Sequence, residues 1–204
     1  MTTINVICVA AGALGRWLRA RSGELWDRLV VVYGKKHFPA NVSCSPMISV
    51  FSRLLTDEVK LRFGARFSKN DFGALSLGCV MPEGRFKSWN LMAGVKVDQL
   101  AQSIVQAFLR YGLPVIEKVT SLGAMRTHLE VKRVESGDHN ELLDLIAPSC
   151  LAYLEGDNDA CTRYLERMLV LDSRLANGDA WAAKFRPSRE RIAKFLQAVR
   201  VSGQ

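Results

Sequence analysis

Apolar residues follow two rhythms along this chain of 204 residues, and the change comes near Met92. Before it they alternate or run in strand-length blocks; after it they recur at helical spacing almost to the end. Residues 25–33 (LWDRLVVVY) are rich in β-branched and aromatic side chains and predict a strand. Residues 34–41 hold Gly, Pro and Asn and predict a turn. Residues 42–51 then return as an antiparallel partner, with Pro46 marking an edge or a bulge. Over residues 59–67, Val59, Leu61, Phe63, Ala65 and Phe67 share one face, and Lys60, Arg62 and Arg66 the other. That alternation predicts a half-buried strand with a basic outer face, and residues 73–81 its hairpin mate after a turn at 68–71. The first twenty residues allow two readings: a strand over 3–9 followed by a glycine turn, or one amphipathic helix over 7–20.

The later signals are helical. Asp98 is expected to cap a helix over residues 99–111, with Leu100, Ile104, Val105, Phe108 and Leu109 as its stripe and Gly112 and Pro114 closing it. Ser121 opens a second helix that runs to about Val134. Residues 139–154 and 158–175 form a helical pair, joined by Glu155, Gly156 and Asp157 as stop and start signals. Ser188 caps a last helix that points Ile192, Phe195, Leu196 and Val199 inward and carries Arg189, Arg191, Lys194 and Arg200 on its other side. The pattern predicts an α+β fold: an antiparallel sheet of about four strands packed against helices, with a helical C-terminal part. The expected division is residues 1–135, a sheet core with covering helices, and residues 136–204, a helical subdomain packed on it.

Composition narrows the class. A hydrophobic content of 49% supplies a core, and 24% charged residues is ordinary, which argues against disorder. No apolar run reaches the ~20 residues of a membrane span. The apolar stretch at residues 4–14 lacks a preceding basic region, unlike a secretory signal. Five cysteines, odd in number and widely spaced, fit reduced thiols in a cytoplasmic protein. The formal charge of +8 lies wholly in residues 1–120, with 16 Lys and Arg against 8 Asp and Glu; residues 121–204 balance at 12 against 12. The front part is therefore where an anionic partner is expected.

Candidate chemistry is sparse. Residues 10–15 (A-A-G-A-L-G) approximate a dinucleotide fingerprint, with Gly12 and Gly15 as the cofactor-binding glycines and Lys35 and Lys36 placed for a 2′-phosphate. Residues 74–78 (A-L-S-L-G) loosely resemble a nucleophile elbow at Ser76, but that turn must join a strand to a helix, and Ser76 falls within the expected strand. His37, His128 and His139 have no second ligand at metal spacing, and no carboxylate pair is implied. No catalytic residue, metal or cofactor belongs to the leading reading. Lys35, Lys36, Arg62, Arg66, Arg85 and Lys87, with Trp89 and Phe86 at the rim, are the expected partner-binding residues on one basic sheet face.

The strings L-R-F-G-A-R-F, S-W-N-L, Y-G-L-P and L-A-Y-L-E-G-D-N-D-A-C-T-R-Y-L, within residues 59–175, resemble an uncharacterised bacterial domain-of-unknown-function type. The resemblance implies an N-terminal helix leading into an antiparallel sheet, then helices. It carries no catalytic residues, and the chain departs from it at residues 10–15 and 42–51. The closing pair is similar to a tetratricopeptide-style hairpin, though one unit does not make a repeat protein. The leading expectation is a non-enzymatic cytoplasmic bacterial interaction protein, accessory or immunity-type, binding an acidic protein surface through the basic sheet face. The alternatives are an NADP-like nucleotide-dependent enzyme using residues 10–15 and a nucleic-acid-binding protein. Nothing in the pattern sets the oligomeric state.

Overall fold

A computed structural model describes residues 5–7, 13–20, 25–35, 41–68, 74–84, 89–92, 96–136, 141–175 and 186–202. The fold is α+β. The chain divides into two compact units, Met1–Phe51 with Gly73–Thr120 and Ser52–Phe72 with Ser121–Gln204.

The first unit holds the sheet. Its strands are β1 (Asn5–Ile7), β2 (Ala13–Ala20), β3 (Leu25–Lys35), β4 (Asn41–Ser52), β5 (Leu75–Ser76) and β6 (Trp89–Met92). Four are of four residues or more and two are short edge pieces; β3 and β4 fall where the apolar pattern placed strands. β1 pairs antiparallel with β2, and β2 with β3. The helix considered for residues 7–20 is therefore absent: residues 13–20 form a strand, held by a ladder running from Ala13 opposite Val32 to Ala20 opposite Trp26. On β3 the period of two places Leu25, Asp27 and Leu29 on one buried face. β4 carries β6 along Asn41–Cys44 and β5 at Met47 and Ile48, both antiparallel. Pro46, which has no N–H to give to a ladder, falls in the gap between them.

Over this sheet runs α2 (Val97–Ala107), which continues through a π-helical turn (Phe108–Gly112) into α3 (Leu113–Glu117). Asp98 lies in the first turn of α2 rather than at its cap; Lys96 precedes the helix and offers no side-chain hydrogen bond. Gly112 does not end the helix either. A Cβ there would come within 2.9 Å of Leu77 and 3.0 Å of Phe108, so the missing side chain lets the π turn press into the core. Pro114 lies directly after the π turn, in the first turn of α3. Ile104 and Phe108 are buried, whereas Val105 and Leu109 are about half exposed, so the stripe is narrower than the sequence suggested.

The second unit is helical: α1 (Arg53–Phe63), α4 (Leu122–Ser136), α5 (Glu141–Asp144), α6 (Ile146–Leu154), α7 (Asn158–Leu175) and α8 (Arg189–Ser202). α1 replaces the strand expected at residues 59–67. Ser52 Oγ accepts the Leu55 N–H at 3.2 Å as an N-cap, and Leu55, Val59 and Phe63 form a buried stripe at i, i+4, i+8. Leu61, assigned to the inner face by alternation, is 67% exposed. The expected hairpin is consequently not formed: among the described residues of 73–81 only Leu75–Ser76 is strand, followed by a 3-10 turn (Leu77–Val80), and it pairs with β4. The compact helical unit joins residues 52–72 to residues 121–204. α1 and α4 both pack on α6, because each has an apolar stripe that the helices of this unit cover.

The joints of the helical unit follow the cap signals. Asp157 Oδ1 accepts the Ala160 N–H at 3.0 Å, and Ser121 Oγ the Ala124 N–H at 3.1 Å. Gly156 has φ 75, a left-handed conformation that glycine adopts without strain, and its N–H and that of Asp157 close the end of α6 on the Tyr153 and Ala152 carbonyls. Ile192, Phe195, Leu196 and Val199 of α8 are all buried.

Candidate interface for an anionic partner

The two units differ in charge. The sheet unit holds 11 Lys and Arg against 5 Asp and Glu, and the helical unit 17 against 15. Near-neutrality in the helical unit conceals an uneven placement, which begins at the end of α1.

Arg62 is committed to packing. Its Nε lies 2.6 Å from Glu58 Oε1, one helical turn back, and its guanidinium sits 4.7 Å from the Tyr153 ring centroid and 4.6 Å from that of Phe195. Tyr153 and Phe63 each meet Phe195 edge-on, at 5.4 and 5.8 Å. Burial opposes the charge, but the Glu58 hydrogen bond and carboxylate outweigh it and hold Arg62 above its ordinary pKa. Arg62 is thus half-buried and engaged with Glu58, Tyr153 and Phe195 on the helix that replaced the strand.

Arg66 lies in the exposed turn after α1, beyond the cap at Gly64. Its guanidinium stacks 4.5 Å from the Phe67 ring and donates through Nη2 to the main-chain carbonyl of Arg186. Arg186 turns back to α7, where Nη1 meets Asp172 Oδ1 and the Asp172 main-chain carbonyl, both at 3.2 Å. Arg186 thus holds both the carboxylate and the main-chain carbonyl of Asp172 in the last turn of α7. Arg189 Nη1 stands 3.6 Å from Asp172 Oδ2 and donates to Ser173 Oγ at 2.7 Å. Arg191 extends the other way. Its Nη1 lies 3.4 Å from where a Cβ on Gly64 would stand, at the C-terminal end of α1.

Four arginines therefore form a band across the N-terminal end of α8. Arg186 and Arg189 lie on its α7 flank; Arg66 and Arg191 lie on its α1 flank. Asp172, buried, is paired with both Arg186 and Arg189. Glu190, in the same helical turn, is paired instead with Lys194 at 2.8 Å. The α8 macrodipole adds positive potential at this end. The side chain of Arg189 is 61% exposed, and Arg66 and Arg191 are exposed too, so these three face water while Arg186 lies beneath them, half-buried.

Lys36, Arg85, Lys87 and Phe86 lie outside the described residues, and Lys35 ends β3. Trp89 is buried in β6 and donates from Nε1 to Ser103 Oγ at 3.3 Å, a core contact rather than a rim. Arg62 and Arg66 belong to the helical unit. Of the expected partner-binding residues that are described, Arg66 takes part in the arginine band. Arg186 was missed; its signal was the run R-P-S-R immediately ahead of α8. Gly12 lies outside the described residues, and Gly15 sits in β2 opposite Val31, beside a bulge. A pyrophosphate seat requires a helix N-terminus after the glycines, and a strand stands there instead. Ser76 is buried at the start of the 3-10 turn, not displayed on an elbow. His128 lies within α4, while His37 and His139 fall outside the described residues. Among the described residues no three His, Cys, Asp or Glu side chains gather as a metal site requires, and no helix is long and apolar enough to cross a membrane.

A second ionic cluster has the opposite balance. Arg126 of α4 meets Asp157 Oδ2 at 2.7 Å and Glu155 Oε2 at 3.2 Å. The Ala160 N–H and then Arg126 hold the Asp157 carboxyl below its ordinary pKa. Nearby, Tyr164 donates to Glu130 Oε1, and burial followed by that bond pushes its phenol up to about 12. Compared with known proteins, the chain matches no family model, no curated sequence and no solved structure.

Proposed function

We propose that this protein is an interaction module rather than an enzyme, and that it engages an acidic protein partner through the arginine band of its helical unit. The observation that carries this reading is the exposure of Arg66, Arg189 and Arg191 around one buried carboxylate, Asp172, which Arg186 and Arg189 share. Like charges held close together repel, and an anionic partner relieves that repulsion as it binds. Arginine suits the task because its planar fork pairs with carboxylates through two hydrogen bonds. Cys44, Cys79, Cys150 and Cys161 are free thiols, three of them buried, which supports a reducing compartment such as the cytoplasm.

The test is chromatography of the intact chain on immobilised polyglutamate. Retention is expected at low salt, weakening as the Debye length shrinks to about 10 Å near 0.1 M. The double variant Arg189→Glu, Arg191→Glu should elute in the void while its far-ultraviolet circular dichroism stays that of the folded chain. Equal retention of the variant removes the band from the reading. Retention by single-stranded RNA but not by polyglutamate replaces the protein partner with a nucleic acid.

A further inference from the structure

Arg189 and Arg191 are two positions apart on α8, so their side chains leave the helix about 200° apart. The structure uses that divergence: Arg189 reaches Ser173 on the α7 flank, and Arg191 reaches Gly64 on the α1 flank. A single anionic group small enough for one flank cannot engage both without pulling a side chain from its place. Two anionic groups can, if they are spaced to straddle the helix end.

We infer that the partner presents a linear acidic segment in extended conformation, with two carboxylates about three residues apart, laid across the N-terminal end of α8. This rests on the proposed anion-binding role of the band. The spacing follows from size. An α-helix with its side chains is about 10–12 Å across. A polyproline-type chain rises about 3.1 Å per residue and repeats its facing every third residue. Positions i and i+3 of such a segment therefore stand about 9 Å apart on one side. One carboxylate meets Arg191 beside Gly64 and the other meets Arg189 above Asp172. Arg186 holds Asp172 and the end of α7, and Asp172 fixes Arg189, so these two position the seat on that flank. Glu190 sits between the two arginines in sequence, but its pairing with Lys194 one turn on commits its carboxylate elsewhere.

The test is calorimetric titration of the full chain at low salt with four synthetic peptides in one Gly/Ser/Pro background. The first carries Glu at i and i+3, the second two adjacent Glu, the third a single Glu, and the fourth a single phosphoserine. The first is expected to bind about fivefold more tightly than the second or third, the range an exposed ion pair supplies. Arg189→Ala and Arg191→Ala should each remove that advantage, whereas Arg200→Ala, near the far end of α8, should keep it. Equal binding of spaced and adjacent pairs overturns the spacing while leaving polyglutamate retention intact. Tighter binding of the phosphoserine peptide overturns it in favour of a single phosphate seat. Failure of every peptide together with loss of polyglutamate retention removes the anion-binding reading itself.

Discussion

The Arg126 cluster and the arginine band are built from the same residue types in opposite proportions. At the α6–α7 joint one guanidinium is shared by two carboxylates, Glu155 and Asp157. At the end of α8 one carboxylate, Asp172, is shared by two guanidinium groups, with two more close by. The first arrangement is closed: its carboxylates already serve a helix cap and a helix end, and its arginine ties α4 to both. The second leaves positive charge facing water. Net charge does not separate the two, since both lie in a unit that is nearly neutral. What separates them is how many opposite charges each group touches, and that is a property of placement.

Asp172→Ala should break this comparison most severely. The carboxylate is 8% exposed and Arg186 is 18% exposed, so its loss strands a largely buried guanidinium against Arg189. Removing one partner of a buried pair costs 3–5 kcal/mol when burial is complete; with Arg186 still touching water, about 2–3 kcal/mol is expected. Part of that cost is repulsion between arginines, so it should shrink as salt is added. Urea denaturation at two ionic strengths measures both. An unchanged midpoint would show that Asp172 does not hold the band together.

Asp157→Ala should cost less, about 1 kcal/mol, which is the usual loss for an N-cap. Arg126 keeps Glu155, so no charge is stranded. Because the folded carboxyl has a lowered pKa, its contribution is present above the unfolded value, about 3.9, and is lost as pH falls through the folded value. The wild-type and variant stability curves should therefore run parallel near neutrality and converge only below about pH 4. Convergence at a higher pH would mean that the cap does not act through this carboxylate.

The sequence disclosed these two clusters unequally. The α6–α7 joint was readable because Glu155, Gly156 and Asp157 act within a few residues of themselves, and the same holds for the caps at Ser121 and Ser188. The helix at residues 53–63 was misread because Val59, Phe63 and Phe67 satisfy both alternation and a four-residue period. Leu55 and the Ser52 cap, lying outside the window, decide between them. The band was only half visible: Arg189 and Arg191 stood out as a basic helix face, but Arg66 and Arg186 are 120 positions apart and meet only through tertiary packing. Local patterns report caps and stripes, whereas a shared counter-charge is non-local.

Gly123→Ala gives the smallest expected effect and tests how closed the first cluster is. A Cβ on Gly123 would overlap Glu155 Oε1. The overlapping atom is a side-chain tip, and Glu155 is 25% exposed, so the carboxylate can swing into water. Arg126 would then lose one of two ion pairs, worth about 0.2–1 kcal/mol. Alanine returns up to about 1 kcal/mol over glycine inside a helix, and less in this first turn of α4. The two effects should cancel to within about 0.5 kcal/mol. In a Glu155→Gln background, where the salt bridge is already lost, the same substitution should become stabilising. A loss above about 2 kcal/mol in both backgrounds would mean that residue 155 cannot move, since that size belongs to overpacking of a fixed neighbour rather than to a surface ion pair.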